Sequence, residues 1–152
     1  MGQNDELKIG VMVRGSGSFQ EDKRSLRLDV LADYLPSSSR FVLLQKELNG
    51  LEKSFVESDD KWIAPCLDFS ETAAVCDLLD VIISVDTSVA HLALAMGKPT
   101  LVLLPFRPDW RWGCEADKTV WYPRCLLLRQ NQRDDWTNVL NLISTTVTKL
   151  TS

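Results

Sequence analysis

The fold is decided by residues 81–104, which read VIISVDTSVAHLALAMGKPTLVLL. The segment opens with Val81–Val85, an apolar run rich in β-branched residues, which is typical of a strand buried on both faces of a parallel sheet. Apolar residues then recur at helical spacing over residues 88–96, and Gly97 is typical of the residue that ends such a helix. A second apolar run, Thr100–Leu104, follows. The segment therefore predicts two parallel strands joined by a helical crossover.

The same alternation continues on both sides of this segment. Asp68 and Glu71 have the spacing of a capping box before one helical segment, and Ser25 is the expected cap of another. Because strands that alternate with helices pair in parallel through right-handed crossovers, we expect an α/β fold, a single Rossmann-like, doubly wound parallel sheet with helices on both faces. The additional strands are predicted at residues 8–14, 40–45, 62–64 and 124–129, and the additional helices at residues 26–35, 47–58, 72–79 and 136–150.

Length and composition point to one globular domain. The chain has 152 residues, of which 45% are hydrophobic and 25% charged. A chain of this size buries about 68–70% of the surface that its unfolded form exposes, so its core needs neither a disulfide nor a metal. We expect a polar N-terminal tail at residues 1–7 and a single domain over residues 8–152.

Charge and hydropathy argue against two classes of partner. Seventeen basic residues against 21 acidic ones give a net charge of −4, which disfavours a nucleic-acid binder. The longest apolar stretches, Val81–Val85 and residues 101–106, fall far short of the roughly 18 residues that suggest a membrane span. Residues 1–8 are polar and do not resemble a signal peptide. We therefore expect a cytoplasmic protein.

The cysteines and the single histidine predict no metal site. Cys66, Cys76, Cys114 and Cys125 include no C-x-x-C pair, and with His91 as the only histidine they assemble no common zinc pattern. We expect these cysteines to be reduced, buried thiols.

The turn after Val81–Val85 is the first candidate site. The strand passes almost directly into a helix, so the backbone N–H groups of Thr87 to Ala90 are expected to point into the crevice beyond the sheet and to bind a phosphate there. Helical geometry places His91 opposite an apolar face and near the azimuth of Thr87. That face consists of Val89, Leu92, Ala93 and Met96. The alternative is that Asp86 or Thr87 simply caps the helix and that His91 is a partly buried histidine hydrogen-bonded to the backbone.

Two further loops are candidates. Arg14 and Gly15 begin a small-residue loop that also carries Lys23 and Arg24, either of which can neutralise a diphosphate. The alternative is a solvated loop with surface charges. Farther along, Trp110 and Trp112 can stack on a base or cover a sugar, or they fasten their loop to the sheet.

Several stretches together resemble a known pattern. They are SETAA at residues 70–74, ISVDTSVAHLALAMGKP at 83–99, LLPFRPDWRW at 103–112, WYP at 121–123 and LRQ at 128–130. This set is similar to the C-terminal, donor-binding half of bacterial GT-B glycosyltransferases. The heptosyltransferases and the glycosyltransferase domains attached to tetratricopeptide repeats are the most similar branches. The resemblance implies that residues 8–152 form a nucleotide-sugar-binding domain, one half of a GT-B architecture.

The resemblance also implies roles for residues. The family segment D-[ST]-[GS]-x-x-H, which binds the donor diphosphate and sugar, corresponds to Asp86, Thr87, Ser88 and His91, with Val89 inside it. Lys23, or failing that Arg24, corresponds to a basic residue that contacts the donor. Contacts to the base or to the loops are expected from Leu67, Asp68, Phe69, Arg14, Gly15 and Trp110.

The implied activity is an inverting sugar transfer to an acceptor hydroxyl, with a nucleotide-diphosphate sugar as substrate and no cofactor. In the family the acceptor and the general base belong largely to another domain. We expect a partner chain or a homodimer to complete the cleft, and no catalytic residue is assigned in this chain. The alternative is a non-catalytic nucleotide-binding or interaction module.

Overall fold

The computed structural model of the chain describes residues 6–15, 25–65, 67–108, 110–113 and 122–152, except the side chain of Trp110. The strands are β1 (Lys8–Met12), β2 (Arg40–Leu43), β3 (Trp62–Ile63), β4 (Val81–Val85), β5 (Thr100–Leu104) and β6 (Cys125–Arg129). The α-helices are α1 (Leu28–Ala32), α2 (Gly50–Ser58), α3 (Phe69–Asp77), α4 (Ser88–Ala95) and α5 (Thr137–Thr151). A short 3₁₀ helix covers Trp110–Trp112.

The described strands form one parallel sheet in the order β3-β2-β1-β4-β5-β6. This is the strand order of the Rossmann fold, in which the chain winds outward from β1 in one direction and from β4 in the other. The predicted α/β fold class is therefore confirmed. The direction of winding reverses between β1 and β4, and that reversal opens a crevice at the carboxyl ends of these two strands.

The central strands are apolar because helices cover both of their faces. On one face, Ile9, Val11, Ile83 and Leu101 pack with residues of α1 and α5. On the other, β-strand residues pack against α3 and α4. The residues on this second face include Met12, Ile82, Val102 and Leu104. Every residue of β4 and of β5 is buried, as the continuous apolar runs predicted.

The predicted start of the first helix was wrong. The helix begins at Leu28, its N-cap position is Arg27, and no side chain caps it, so Ser25 does not serve as the cap. Before the helix begins, the Leu26 N–H donates to the Val13 carbonyl over 2.8 Å, which ties Leu26 to the residue that follows β1.

Two other helix starts follow local sequence signals. Asp68 and Glu71 form the predicted capping box at the start of α3, with both reciprocal bonds at 2.8 Å. Asn49 and Glu52 form a second capping box at the start of α2. Gly50 is consequently the first residue of α2, three positions after the predicted start of this helix at residue 47.

Helix α4 ends at Ala95, and Gly97 takes the predicted position just beyond its cap, with a φ of 76° in the left-handed region. The N–H groups of Gly97 and Lys98 donate to the carbonyls of Leu94 and Ala93, each over 3.0 Å. This pattern is a Schellman motif, which satisfies two carbonyls at the end of the helix. The glycine matters here because other residues adopt this backbone conformation only at a cost.

The predicted apolar face of α4 is only half correct. Val89 and Ala93 are buried, but Leu92 is half-buried and Met96 is 38% exposed. Ala90 and Leu94 are buried instead, in a cluster with Trp112. The helix therefore buries two flanks, one with Val89 and Ala93 and the other with Ala90 and Leu94.

The described cysteines, Cys76 and Cys125, are buried and unpaired, as expected. Burial raises the pKa of the Cys125 thiol to about 12 and also raises the pKa of Cys76. Cys66 and Cys114 lie outside the described residues. The described histidines, cysteines and acidic residues form no cluster of three or more that could hold a metal. Among the helices that the structure describes, none combines the length and apolar character that a membrane crossing requires.

Substituting Gly10 with alanine is expected to destabilise the fold by about 1–3 kcal/mol, because the site has no room for a methyl group. A Cβ there would lie 2.7 Å from the Cδ1 atoms of Ile82 and Leu79 and 3.0 Å from that of Leu44. All three side chains are buried, so they have little freedom to move away. Urea unfolding of Gly10→Ala measures the change in free energy.

Gly50→Ala is the matched control. Nothing lies within 4 Å of a Cβ at Gly50, and alanine is the better helix former, so we expect a gain of about 0.4–1 kcal/mol. A Gly10→Ala variant as stable as the wild type would contradict the close packing of β1 in the sheet.

Candidate functional site

The candidate site lies in the crevice between β1 and β4. In the parallel register of these strands, Met12 lies opposite Ser84. Two residues farther along, the chain reaches Arg14 on one side and Asp86 on the other. Two of the loops that the sequence singled out therefore begin side by side at the point where the strand order reverses.

Arg14 is held by α2 and does not point freely into the crevice. Its guanidinium makes two bonds to the Glu52 carboxylate, Nε to Oε1 at 2.8 Å and Nη2 to Oε2 at 3.0 Å, and a further contact to the Glu47 carbonyl. Its own carbonyl accepts from the Gln45 amide over 3.0 Å. The bond to Glu52 raises the pKa of Arg14 above its usual value. Arg14 thus anchors the start of the loop that continues through Gly15.

The Thr87 hydroxyl caps α4. It accepts from the Ala90 N–H over 3.3 Å and lies 3.0 Å from the Ser84 hydroxyl. Ser84 donates its single proton to the Val85 carbonyl over 2.6 Å, so in the second contact Thr87 must be the donor. The alternative reading of Thr87 as a helix cap is therefore confirmed. The prediction of open donors over Thr87 to Ala90 was too generous, because the cap occupies the Ala90 N–H.

The first turn of α4 offers backbone donors to a ligand. Among the described residues, the backbone N–H groups of Ser88 and Val89 have no hydrogen-bond partner, as is usual in the first turn of a helix. Ser88 is exposed, so its hydroxyl stands beside these groups. The positive end of the helix dipole adds to their attraction for an anion.

His91 lies between an aromatic wall and a carboxylate. Its Nδ1 is 3.2 Å from the Tyr122 hydroxyl, and its ring stacks on Trp112 with centroids 4.9 Å apart and an interplanar angle of 27°. Its Nε2 is 3.6 Å from Oδ1 of Asp86. The side chain keeps 26% of its surface exposed and lies off the flank that Val89 and Ala93 bury.

The aromatic loop is fastened to the sheet by Trp112. This residue is 2% exposed and packs against Val102 and Leu104, as one of the two readings of the loop predicted. Arg129 strengthens the attachment, because its guanidinium donates to the carbonyls of Trp112 and Gly113 over 2.5 and 2.9 Å. The loop also receives support from Gln130, whose side chain accepts from the Phe106 N–H over 2.9 Å.

The residues after β3 reach the same edge of the sheet. Leu67 is half-buried, and the Asp68 carboxylate is engaged by the Glu71 N–H in the capping box. Phe69 begins α3 and is 60% exposed. Because α3 follows β3 in the chain, its first residue, Phe69, lies at the carboxyl edge of the sheet.

Some predicted residues are not placed. Lys23 and Arg24 lie outside the described residues, as does the side chain of Trp110. Conversely, Tyr122 contacts His91 although nothing in the sequence marked Tyr122 as a site residue. No local pattern connects Tyr122 with His91, because 31 positions separate them in the chain.

Comparisons with known proteins identify the family and a similar fold. The sequence model described as glycosyltransferase family 9 (heptosyltransferase) matches residues 42–118, about half of the chain. No curated protein matches the sequence significantly. The fold is similar to that of the E. coli heptosyltransferase WaaC, solved with ADP-2-deoxy-2-fluoro heptose, with a TM-score of 0.67 and 14% sequence identity. The alignment covers 95% of this chain but 43% of that one, so the chain spans less than half the length of that enzyme.

Proposed function

This chain belongs to glycosyltransferase family 9 (heptosyltransferase), and from that membership we propose that its crevice binds the diphosphate and sugar of a nucleotide-sugar donor. The observation that carries the proposal is the position of α4. Its N-terminus opens at the reversal between β1 and β4, with Ser88 exposed beside free backbone donors. Phosphate groups are among the anions that such a helix end binds.

The hydrogen-bond donors of α4 and the Asp86 carboxylate beside them bind different parts of the ligand. The Ser88 and Val89 N–H groups, the Ser88 hydroxyl and the His91 imidazole bind the diphosphate. Asp86 binds sugar hydroxyls, because a carboxylate accepts hydrogen bonds and repels a phosphate. Thr87 acts indirectly, since its hydroxyl is used in capping the helix that presents these groups.

A positive side chain is needed to balance the diphosphate. The described residue nearest to this role, Arg14, is already engaged by Glu52. We assign the role to Lys23, with Arg24 as the second choice, because both belong to the loop that Arg14 and Gly15 begin. The exposed ring of Phe69, with Leu67 and Asp68, lines the base, and Trp110 is assigned to a contact from the aromatic loop.

The reaction proposed for the complete protein is inverting transfer of the sugar to an acceptor hydroxyl. The donors at the start of α4 stabilise the leaving diphosphate through hydrogen bonds and the helix dipole. A general base must activate the acceptor, and we place that base in another domain or chain that faces the crevice. WaaC, with a similar fold, is more than twice as long as the part that aligns with this chain.

Three exposed apolar residues lie at this edge of the sheet. Leu51, Phe69 and Phe106 follow β2, β3 and β5, and their exposed fractions are 74%, 60% and 45%. All three lie at the carboxyl edge of the sheet, where the crevice opens. We propose that a partner chain, or a second copy of this chain, covers them and completes the cleft.

Thermal unfolding with a panel of ligands tests donor binding. We expect ADP, UDP or GDP, or an ADP-linked sugar, to raise the melting temperature, because a ligand that binds only the folded state stabilises it. ADP comes first, since the solved structure of WaaC carries an ADP-linked heptose analogue. Adenosine is the matched control, because it has the base and ribose but lacks the diphosphate.

Two outcomes of this experiment contradict parts of the proposal. If no nucleotide shifts the melting temperature or binds in calorimetry, the proposed donor site is wrong. If a nucleotide binds but its sugar is neither transferred nor hydrolysed, even with a partner chain present, the chain is a non-catalytic nucleotide-binding module.

A further inference from the structure

We propose that Tyr122 is a positioning residue for His91, which it holds as the tautomer that carries its proton on Nε2. The proposal concerns the same crevice and rests on the proposed function for its effect on ligands. The proposal adds to the site a residue that lies far in sequence from the segment that begins α4. The hydroxyl of Tyr122 makes the contact that orients His91, and the tyrosine ring alone would not.

The contact between the two residues is made across the fold. His91 lies in the first half of α4, and Tyr122 lies three residues before β6 begins. Their side chains meet with Nδ1 of His91 and the Tyr122 hydroxyl 3.2 Å apart, within hydrogen-bond distance. The Tyr122 ring packs against the buried cluster that contains Ala90, Leu94 and Trp112, so its hydroxyl is held in place.

The carboxylate of Asp86 selects the tautomer. Its Oδ1 lies 3.6 Å from Nε2 of His91. In a neutral imidazole with its proton on Nδ1, the lone pair of Nε2 would face this negative oxygen and be repelled. With the proton on Nε2 the interaction is attractive, and Nδ1 then accepts a hydrogen bond from the Tyr122 hydroxyl.

Two aromatic side chains fix the plane of the His91 imidazole ring. Trp112 stacks against one face of the imidazole at 4.9 Å, and Trp112 is itself buried and anchored by Arg129. The Tyr122 ring approaches at 5.9 Å between centroids with a tilt of 58°. Together these contacts fix both the orientation of the imidazole and the direction of its Nε2–H bond.

This tautomer determines what the crevice offers to an anion. The 3.6 Å separation from Asp86 is too long for a good hydrogen bond, so the Nε2–H can still donate to a ligand oxygen. The other tautomer would present a lone pair, which repels a phosphate. In this tautomer, His91 held by Tyr122 acts as a hydrogen-bond donor to the diphosphate.

Nitrogen NMR of the labelled imidazole tests the proposal directly, and His91 is the only histidine, so its two ring-nitrogen signals need no assignment by mutation. At pH 9, where an imidazole is ordinarily neutral, we expect Nε2 to be the protonated nitrogen and Nδ1 to be a hydrogen-bond acceptor. Tyr122→Phe should shift the Nδ1 signal toward that of a nitrogen without this bond. Tyr34→Phe, at the other tyrosine of the chain, should leave both signals unchanged.

Binding measurements give a second readout. Tyr122→Phe should weaken binding of the tightest nucleoside diphosphate of the panel by about 2- to 12-fold, the loss expected for one hydrogen bond, whereas Tyr34→Phe should have no effect. Circular dichroism of both variants checks that they fold.

The two readouts separate this proposal from the proposed function. Protonation on Nδ1 in the wild type, or ring-nitrogen signals that Tyr122→Phe leaves unchanged, overturns the positioning role whether or not a nucleotide binds. The expected signals in a protein that binds no nucleotide support the positioning role and contradict donor binding. Wild-type affinity in a Tyr122→Phe variant whose Nδ1 signal has shifted overturns the link between the tautomer and the diphosphate.

Discussion

Ser88→Asp is expected to lower the affinity for a nucleoside diphosphate by about 100-fold or more while leaving the fold at least as stable. The new carboxylate would stand at the first position of α4, beside the N–H groups that we assign to the diphosphate. Like charges placed together in a binding site cost several kcal/mol, and each 1.4 kcal/mol is a factor of ten. The same carboxylate interacts favourably with the helix dipole, worth about 0.3–1 kcal/mol.

The opposite signs of these two effects make the experiment specific. Calorimetric titration with the nucleotide measures binding, and urea unfolding measures stability. Ser88→Asn is the matched control, because asparagine has the shape of aspartate without its charge and should weaken binding far less. Equal losses in the two variants would assign the effect to side-chain size, and unchanged binding in Ser88→Asp would place the diphosphate elsewhere.

Arg14→Met is expected to destabilise the fold by about 2–4 kcal/mol. The change leaves the carboxylate of Glu52, whose side chain is only 6% exposed, without its positive partner. Removing one member of a buried ion pair costs about 3–5 kcal/mol, and the effect here is somewhat smaller because the Arg14 side chain is 24% exposed. The loop after β1 would also lose its anchor on α2, so nucleotide binding should weaken as well.

Arg40→Met provides the comparison for this stability measurement. Arg40 pairs with Glu6 at 2.9 Å, but both side chains are about half exposed, and such surface pairs contribute at most about 1 kcal/mol. Urea unfolding of the two variants compares the same chemical change at a buried and an exposed site. Equal destabilisation would show that the Arg14–Glu52 pair is no stronger than a surface ion pair.

The elements with strong local signals were predictable. The buried strands Val81–Val85 and Thr100–Leu104 were located from their apolar runs, and Gly97 and the capping box of Asp68 were identified from residue type and spacing. These signals involve residues within a few positions of one another. Ser25 was misassigned as the cap of α1, and the bond that Leu26 makes beside it, to Val13, joins residues 13 positions apart.

The candidate site was predictable in its position but not in its details. Parallel strands direct their following loops to one edge, which brought Arg14 and Asp86 together in the expected crevice. The hydroxyl of Thr87 turned out to be occupied by Ser84 and Ala90, and Arg14 was found to be bound to Glu52. Whether a polar side chain is free depends on its neighbours in space.

The amino-acid sequence alone determined the alternation of strands and helices, the parallel sheet and the segment that begins α4, because hydrophobic periodicity and helix-end chemistry act over short distances along the chain. Only the tertiary structure decided which polar groups remain open to a ligand. The contact of His91 with Tyr122 and Trp112 illustrates the reason. Hydrogen bonds and ring stacking require atoms within a few ångströms, and packing brings such atoms together from distant positions in the sequence.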